Sequence, residues 1–173
     1  MLSYLFSLEI NACPKRAVNN YFTGLFHDLP EVLTRDIISP VKRSIEGLSE
    51  LIKLFEREQM EKEVYRLIPK AWHPEIRMFT ENEFESIVTL NKKTKKVSGD
   101  DISKKYNKDA YNPRDGELVK AADCLAAFIE AAEAIRNGSP NQEFHDAKLS
   151  FRSSYGRMNI AGINFGEIYA DFD

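Results

Sequence analysis

The sequence predicts an all-α fold, on three observations. Apolar residues recur at helical spacing along most of the chain, proline, serine and glycine signals mark where those runs start and stop, and strand signals are weak throughout. At 173 residues the chain can bury one core, and a single domain over 1–173 is expected.

The elements are read in order. Met1-Leu2-Ser3-Tyr4-Leu5-Phe6-Ser7-Leu8-Glu9-Ile10 is apolar but lacks the basic leader of a signal peptide and the length of a membrane span, so a core helix is expected. It has no polar lead-in, which suggests a start inside a domain. Pro14 suits the first turn of a helix running to about Asp28, with Val18, Tyr21, Phe22 and Leu25 as its apolar stripe. Pro30 removes a backbone donor, so a kink or a new turn is expected there. Ser39-Pro40 reads as an N-cap followed by a first-turn proline. Val41, Ile45, Leu48, Ile52 and Phe55 then keep one face apolar, and this helix reaches Leu67.

Thr80-Glu81-Asn82-Glu83 has capping-box form. The run Lys92-Lys93-Thr94-Lys95-Lys96, followed by Ser98-Gly99-Asp100-Asp101, reads as a solvated loop. An alanine-rich helix is predicted from about Asp115 to Asn137, stopped by Gly138. Phe165, Ile168, Tyr169 and Phe172 predict a docking helix at the tail.

Composition bounds the partners. Hydrophobic residues make up 43% and charged residues 29%, the balance of an ordinary soluble globular protein. A net charge of -3 gives no electrostatic reason to expect nucleic acid or an anionic membrane. Cys13 and Cys124 do not make a disulfide framework, so a reducing cytoplasm is the expected compartment.

The chemistry concentrates in Phe26-His27-Asp28-Leu29-Pro30-Glu31-Val32-Leu33-Thr34-Arg35-Asp36. Asp28 continues the line Val18, Tyr21, Leu25, which places a carboxylate on the core-facing stripe. Asp123 shares a face with Val119, Ala126 and Ala127. An unpaired buried carboxylate is costly and calls for a cation or several donors. Two such acids, with a histidine beside one, suggest a divalent metal held between two helices. Carboxylates with an imidazole suit Mn, Co, Fe or Zn better than Ca. The bland alternative is a salt bridge from either acid to a lysine or arginine, and spacing alone favours it. A second pair, His145-Asp146, serves as a control. Leu149 and Ser154 stand where Glu31 and Asp36 stand relative to His27, so His145 reads as a surface helix residue.

Phe26-His27-Asp28 with Glu31 and Asp36, Ser39-Pro40-Val41-Lys42 and Leu118-Val119-Lys120-Ala121-Ala122-Asp123 resemble, in that order, the motifs of HD-domain metal-dependent phosphohydrolases. The likeness is greatest to the bacterial YfbR-like 5′-deoxynucleotidase branch and covers roughly Leu2 to Asn137. It implies a compact HD-domain helical bundle. It further implies that His27, Asp28 and Asp123 ligate one divalent ion (Mn, Co, Fe, Zn or Mg), that Glu31 and Asp36 are catalytic acids, and that a nucleoside 5′-monophosphate is hydrolysed to nucleoside and phosphate. Lys42 and Arg35 are weaker candidates for the substrate phosphate.

Two departures matter. The family needs a further histidine upstream of the His-Asp pair, and no histidine precedes His27. His73 is a poor replacement, since its place in the pattern is a connecting segment. Arg35 stands where the family commonly has glycine. The expectation is therefore a fragment lacking its first helix or part of it, from an active parent, with a homodimer contact over the apolar surface so left. The alternatives are a hydrolase of another phosphate ester, such as a signalling nucleotide, and a non-catalytic nucleotide-binding or dimerisation module.

Overall fold

The computed structural model describes residues 1–34 and 45–172. Helix α1 spans Leu2–Glu9, α2 Pro14–Phe26 and α3 Leu29–Thr34. Helix α4, Leu48–Gln59, continues through a π-helical turn at Met60–Val64 and a 3-10 turn at Tyr65–Leu67. A second 3-10 turn, Lys70–Trp72, leads into α5 at His73–Thr80. Strands β1, Ile87–Leu90, and β2, Lys93–Lys96, pair antiparallel. A short α6, Gly99–Asp101, a π-helical turn, Ile102–Tyr106, and a 3-10 turn, Asp109–Tyr111, precede the long α7 at Gly116–Arg136. Helix α8, Gln142–Tyr155, the two-residue strands β3, Asn159–Ile160, and β4, Ile163–Asn164, and α9, Phe165–Ala170, follow. The protein is predominantly helical, as its periodicity predicts. None of the described helices is long and apolar enough to cross a membrane.

The chain divides into two compact units, Met1–Gly24 with Phe84–Asp173, and Leu25–Glu83. The core of the first is built on α7. Leu118, Ala121, Leu125 and Phe128 pack with Ile163, Phe165 and Tyr169, and α1 adds Leu2 and Phe6, with Ile10 just after its end. Phe128 and Tyr169 meet at 4.5 Å between ring centroids. A fully buried side chain of this size contributes about 1.5–3 kcal/mol, enough to dock so short a helix as α9. The tail is thus the docking helix expected.

Helix α7 begins and ends where local chemistry says it should. Asp115 Oδ1 accepts the Leu118 N–H at 3.1 Å as an N-cap, and Gly138, at φ +83°, follows the last turn. Gly116 is required by space, since a Cβ there would lie 2.3 Å from the Phe84 carbonyl carbon.

The second unit packs the π-helical and 3-10 turns against α5. Met60, Tyr65 and Phe79 are among its buried residues, and the Phe26 and Phe79 rings stack at 6.4 Å. The Arg77 guanidinium lies 4.5 Å from the Tyr65 centroid and pairs with both Glu61 and Glu81. The Glu61 hydrogen bond, chief among these contacts, holds Arg77 protonated above its ordinary range.

Three expectations are corrected. Thr80 ends α5 instead of starting a helix, because its hydroxyl donates back to the Ile76 carbonyl at 2.9 Å. Lys93–Lys96 keeps its side chains in solvent, as a loop would, yet its backbone pairs with β1. Lysines on an open edge discourage further strand pairing. Third, the buried face of α2 is polar: Arg16, Ala17, Asn19, Asn20 and Thr23 are buried, whereas Val18 is 41% and Leu25 55% exposed. Arg16, Asn19 and Asn20 find partners across the unit, so much of their desolvation is offset by hydrogen bonds. The Ser39-Pro40 start falls at 35–44, outside the described residues.

The hairpin turn carries a prediction. Asn91 and Lys92 both have positive φ, +49° and +62°, the geometry in which glycine is favoured at the second position. Lys92→Gly is expected to stabilise the protein by about 1 kcal/mol by relieving left-handed strain. An unchanged or lower urea midpoint would refute this.

Candidate functional site

Residues 26–31 form a sharp junction between two helices. Phe26 ends α2, Leu29 opens α3, and Pro30 occupies an early helical position where its missing N–H costs nothing. The new turn expected at Pro30 is present, and the Glu31 N–H donates to the Asp28 carbonyl at 3.0 Å. This break leaves His27 and Asp28 between helices, where neither side chain is committed to a helical face.

His27 Nε2 lies 3.2 Å from Asp28 Oδ1. The histidine side chain is 12% exposed and the aspartate 67%, so the pair spans the boundary between interior and solvent. That exposure corrects the reading of Asp28 as core-facing. The stripe it was assigned to is itself exposed at Val18 and Leu25, and α2 has already ended at Phe26. Glu31 sits in the first turn of α3, half-buried.

Asp123 lies two turns into α7 and is one-third exposed. Its Oδ2 accepts a hydrogen bond from Lys120 Nζ at 3.0 Å, the intrahelical salt bridge that spacing alone favours. Lys120 Nζ also lies 4.1 Å from the centre of the Phe84 ring. On the neighbouring α8, burial, with the hydrogen bond to Cys124 next, pushes the Tyr155 phenol up, so it stays protonated at neutral pH. Asp36, Arg35 and Lys42 lie outside the described residues. His73 is engaged elsewhere, 4.9 Å from the Tyr65 ring, with Nε2 3.4 Å from the Ile68 carbonyl oxygen. His145 is exposed on α8, as the control reading expects.

The metal implied by the resemblance can be tested against the His27-Asp28 pair. Two donors about 2.1 Å from a common ion stand roughly 3.0–3.4 Å apart, from octahedral to tetrahedral angles. The observed 3.2 Å fits neighbouring vertices of such a site. The chemistry also fits, an imidazole nitrogen beside a carboxylate. Among the described residues, however, no group of three or more histidine, cysteine, aspartate or glutamate side chains gathers in a way that could hold a metal ion. The pair supplies two donor atoms at a separation compatible with a shared ion.

What the motif reading overlooked is the polar face of α2. Arg16, Asn19, Asn20 and Thr23 recur at helical spacing, a signal as regular as the apolar one on the opposite side.

A family model described as HD domain matches residues 1–150. No curated protein and no solved structure matches the chain.

Proposed function

The chain belongs to the HD domain family, and on that premise we propose that it is a metal-dependent phosphohydrolase acting on nucleoside 5′-monophosphates, of the YfbR-like kind. The observation that carries this reading is the convergence of His27 Nε2 and Asp28 Oδ1 to 3.2 Å at a helix junction. In this reading His27, Asp28 and Asp123 hold one divalent ion of the Mn, Co, Fe, Zn or Mg group. When bound, the ion supplies Lewis acidity toward a phosphoryl oxygen and makes a nearby water more acidic.

The chain's own residues do the rest. Glu31 accepts a proton from the attacking water, and Asp36 returns one to the departing 5′-oxygen. Arg35 and Lys42 contribute positive charge for the substrate phosphate, which lowers the cost of bringing an anion beside the acidic side chains. Expulsion of the nucleoside then leaves inorganic phosphate.

The test is release of inorganic phosphate from a panel of ribo- and deoxyribonucleoside 5′-monophosphates, with each divalent ion supplied in turn and EDTA as control. Glu31→Gln is expected to keep metal affinity while turnover falls about 100-fold or more. Unchanged turnover would remove Glu31 from the mechanism.

A second reading is favoured by one observation. Asp123 Oδ2 accepts a hydrogen bond from Lys120 Nζ, a salt bridge that competes with its use as a metal ligand. A non-catalytic nucleotide-binding module accounts for this pairing. Nucleotide binding without phosphate release under any divalent ion would select the module over the enzyme.

A further inference from the structure

Two surface features of the first unit go against local preference, and they do so with opposite charge. The first is a groove of about 730 Å³ between α1, the β3–β4 turn and α9. Its floor is apolar, with Phe6, Ile10 and Ile168 partly buried against the core. Its rim carries three exposed carboxylates, Glu9, Glu167 and Asp171, and no basic side chain among the described residues lines it. Glu9 is the last residue of α1 and Asp171 the C-cap of α9, and neither helix has a basic residue in its last turn. A helix C-terminus carries partial negative charge and favours a cation, so an acid there is the unfavourable choice. Lys148 Nζ and Arg152 Nη1 donate to the Phe172 and Tyr169 carbonyls, yet neither residue lines the groove.

The second feature is the β1–β2 hairpin. Lys92 sits in its turn at φ +62°, and Lys93, Lys95 and Lys96 follow on a strand whose residues are all exposed. Lysine is depleted in strands, and neighbouring like charges repel. Lys96 Nζ pairs with Glu85 Oε1 at 2.9 Å, whereas Lys92, Lys93 and Lys95 form no ion pair among the described residues. Strand alternation puts Lys93 and Lys95 on one face. Protection of an open edge accounts for lysines on β2 but leaves the acids at the ends of α1 and α9 unexplained. Departures from local preference collect where function imposes them.

We propose that the groove receives the β1–β2 hairpin of a second copy of this chain. The two surfaces complement each other in charge, ammonium groups against rim carboxylates. They also complement each other in polarity: the aliphatic stems of the lysines cover the apolar floor while their heads stay at the wet rim. A net charge of -3 leaves little general repulsion between copies. Each copy offers one hairpin and one groove, so a reciprocal exchange closes as a dimer and a one-way insertion propagates. A contact of this kind is transient and salt-sensitive, because its charges pair at a solvent-exposed rim. Both surfaces belong to the first unit, and the proposal does not rest on the metal-site reading.

The test is sedimentation velocity of the full chain over a concentration series, in low salt and in about 1 M NaCl, where the screening length falls to roughly 3 Å. The parent is expected to associate reversibly in low salt and to be monomeric in high salt. Lys93→Glu/Lys95→Glu and Glu9→Lys/Asp171→Lys are each expected to weaken self-association about tenfold or more, since each sets like charges across the contact. Both variants should keep parental helix content by circular dichroism, because the lysines are exposed and a cation suits a helix C-terminus. Mixed together, the two reversed variants are expected to associate with each other, each supplying the charge that the other has lost. If a reversal does not fold, Lys93→Gln/Lys95→Gln or Glu9→Gln/Asp171→Asn carries the same direction. A parent that is monomeric in low salt overturns the proposal. So does association that either folded variant leaves unchanged, or that mixing the reversed variants does not restore.

Discussion

His27→Ala is expected to lower divalent-metal affinity by roughly two orders of magnitude or more and to take phosphate release below detection. Removing an outer partner of a ligand already costs 10–100-fold in typical metal sites, so losing a ligand outright should exceed that. The loss falls on half of the donor pair seen at the α2–α3 junction, where His27 Nε2 and Asp28 Oδ1 stand 3.2 Å apart. The helix break itself does not depend on the imidazole, because it is set by the end of α2 at Phe26 and by Pro30 in α3. His145→Ala is the matched control. It removes the histidine of the other His-Asp pair, from an exposed position on α8. Calorimetric titration with Mn²⁺ and a phosphate-release assay on both variants read the outcome. Equal metal affinity in His27→Ala and His145→Ala would sink the assignment of His27.

Arg16→Met alone is expected to destabilise the protein by about 3–5 kcal/mol, because it leaves Asp115 as an uncompensated buried charge. Against a total stability of about 5–15 kcal/mol for an ordinary domain, that is enough to put a sizeable fraction of the chain out of its folded state near body temperature. The loss is not mainly one of packing, since methionine fills much of the arginine's volume. It comes from a carboxylate that is itself almost wholly sealed from solvent, with a side-chain exposure of 1%. Adding Asp115→Asn should therefore restore most of the stability, a non-additivity that marks a coupled pair. Urea denaturation followed by helical circular dichroism gives both quantities. A loss below about 1 kcal/mol for Arg16→Met would mean the pair is more solvated than its burial indicates.

The parts of the fold that were legible in advance share one property: their causes lie within a few residues. Asp115 and Gly138 bracket α7 because a cap and a left-handed stop act on the adjacent turn. Pro30 breaks the helix before it because a missing N–H is a local fact. The misread elements fail for the opposite reason. Thr80 has the form of a cap, but Thr80 Oγ1 has the Ile76 carbonyl within reach once α5 exists, and it uses that partner instead. The lysine run has no alternating pattern of its own and becomes a strand only because Ile87–Leu90 lies beside it.

The candidate site divides the same way. The His27-Asp28 pair, the helix break beside it and the placement of Glu31 in the first turn of α3 follow from residues 26–31 alone. Asp28's exposure does not, because which face of α2 is buried depends on what packs against it. The answer is a polar seam whose central contact joins Arg16 to Asp115, 99 residues apart. A helix carries its periodicity in its own sequence, and so the helical class, the ends of α7 and the break that carries the His27-Asp28 dipeptide were legible there. Whether a periodic face turns inward is settled by the desolvation of one surface against another, and only the tertiary structure brings those surfaces together.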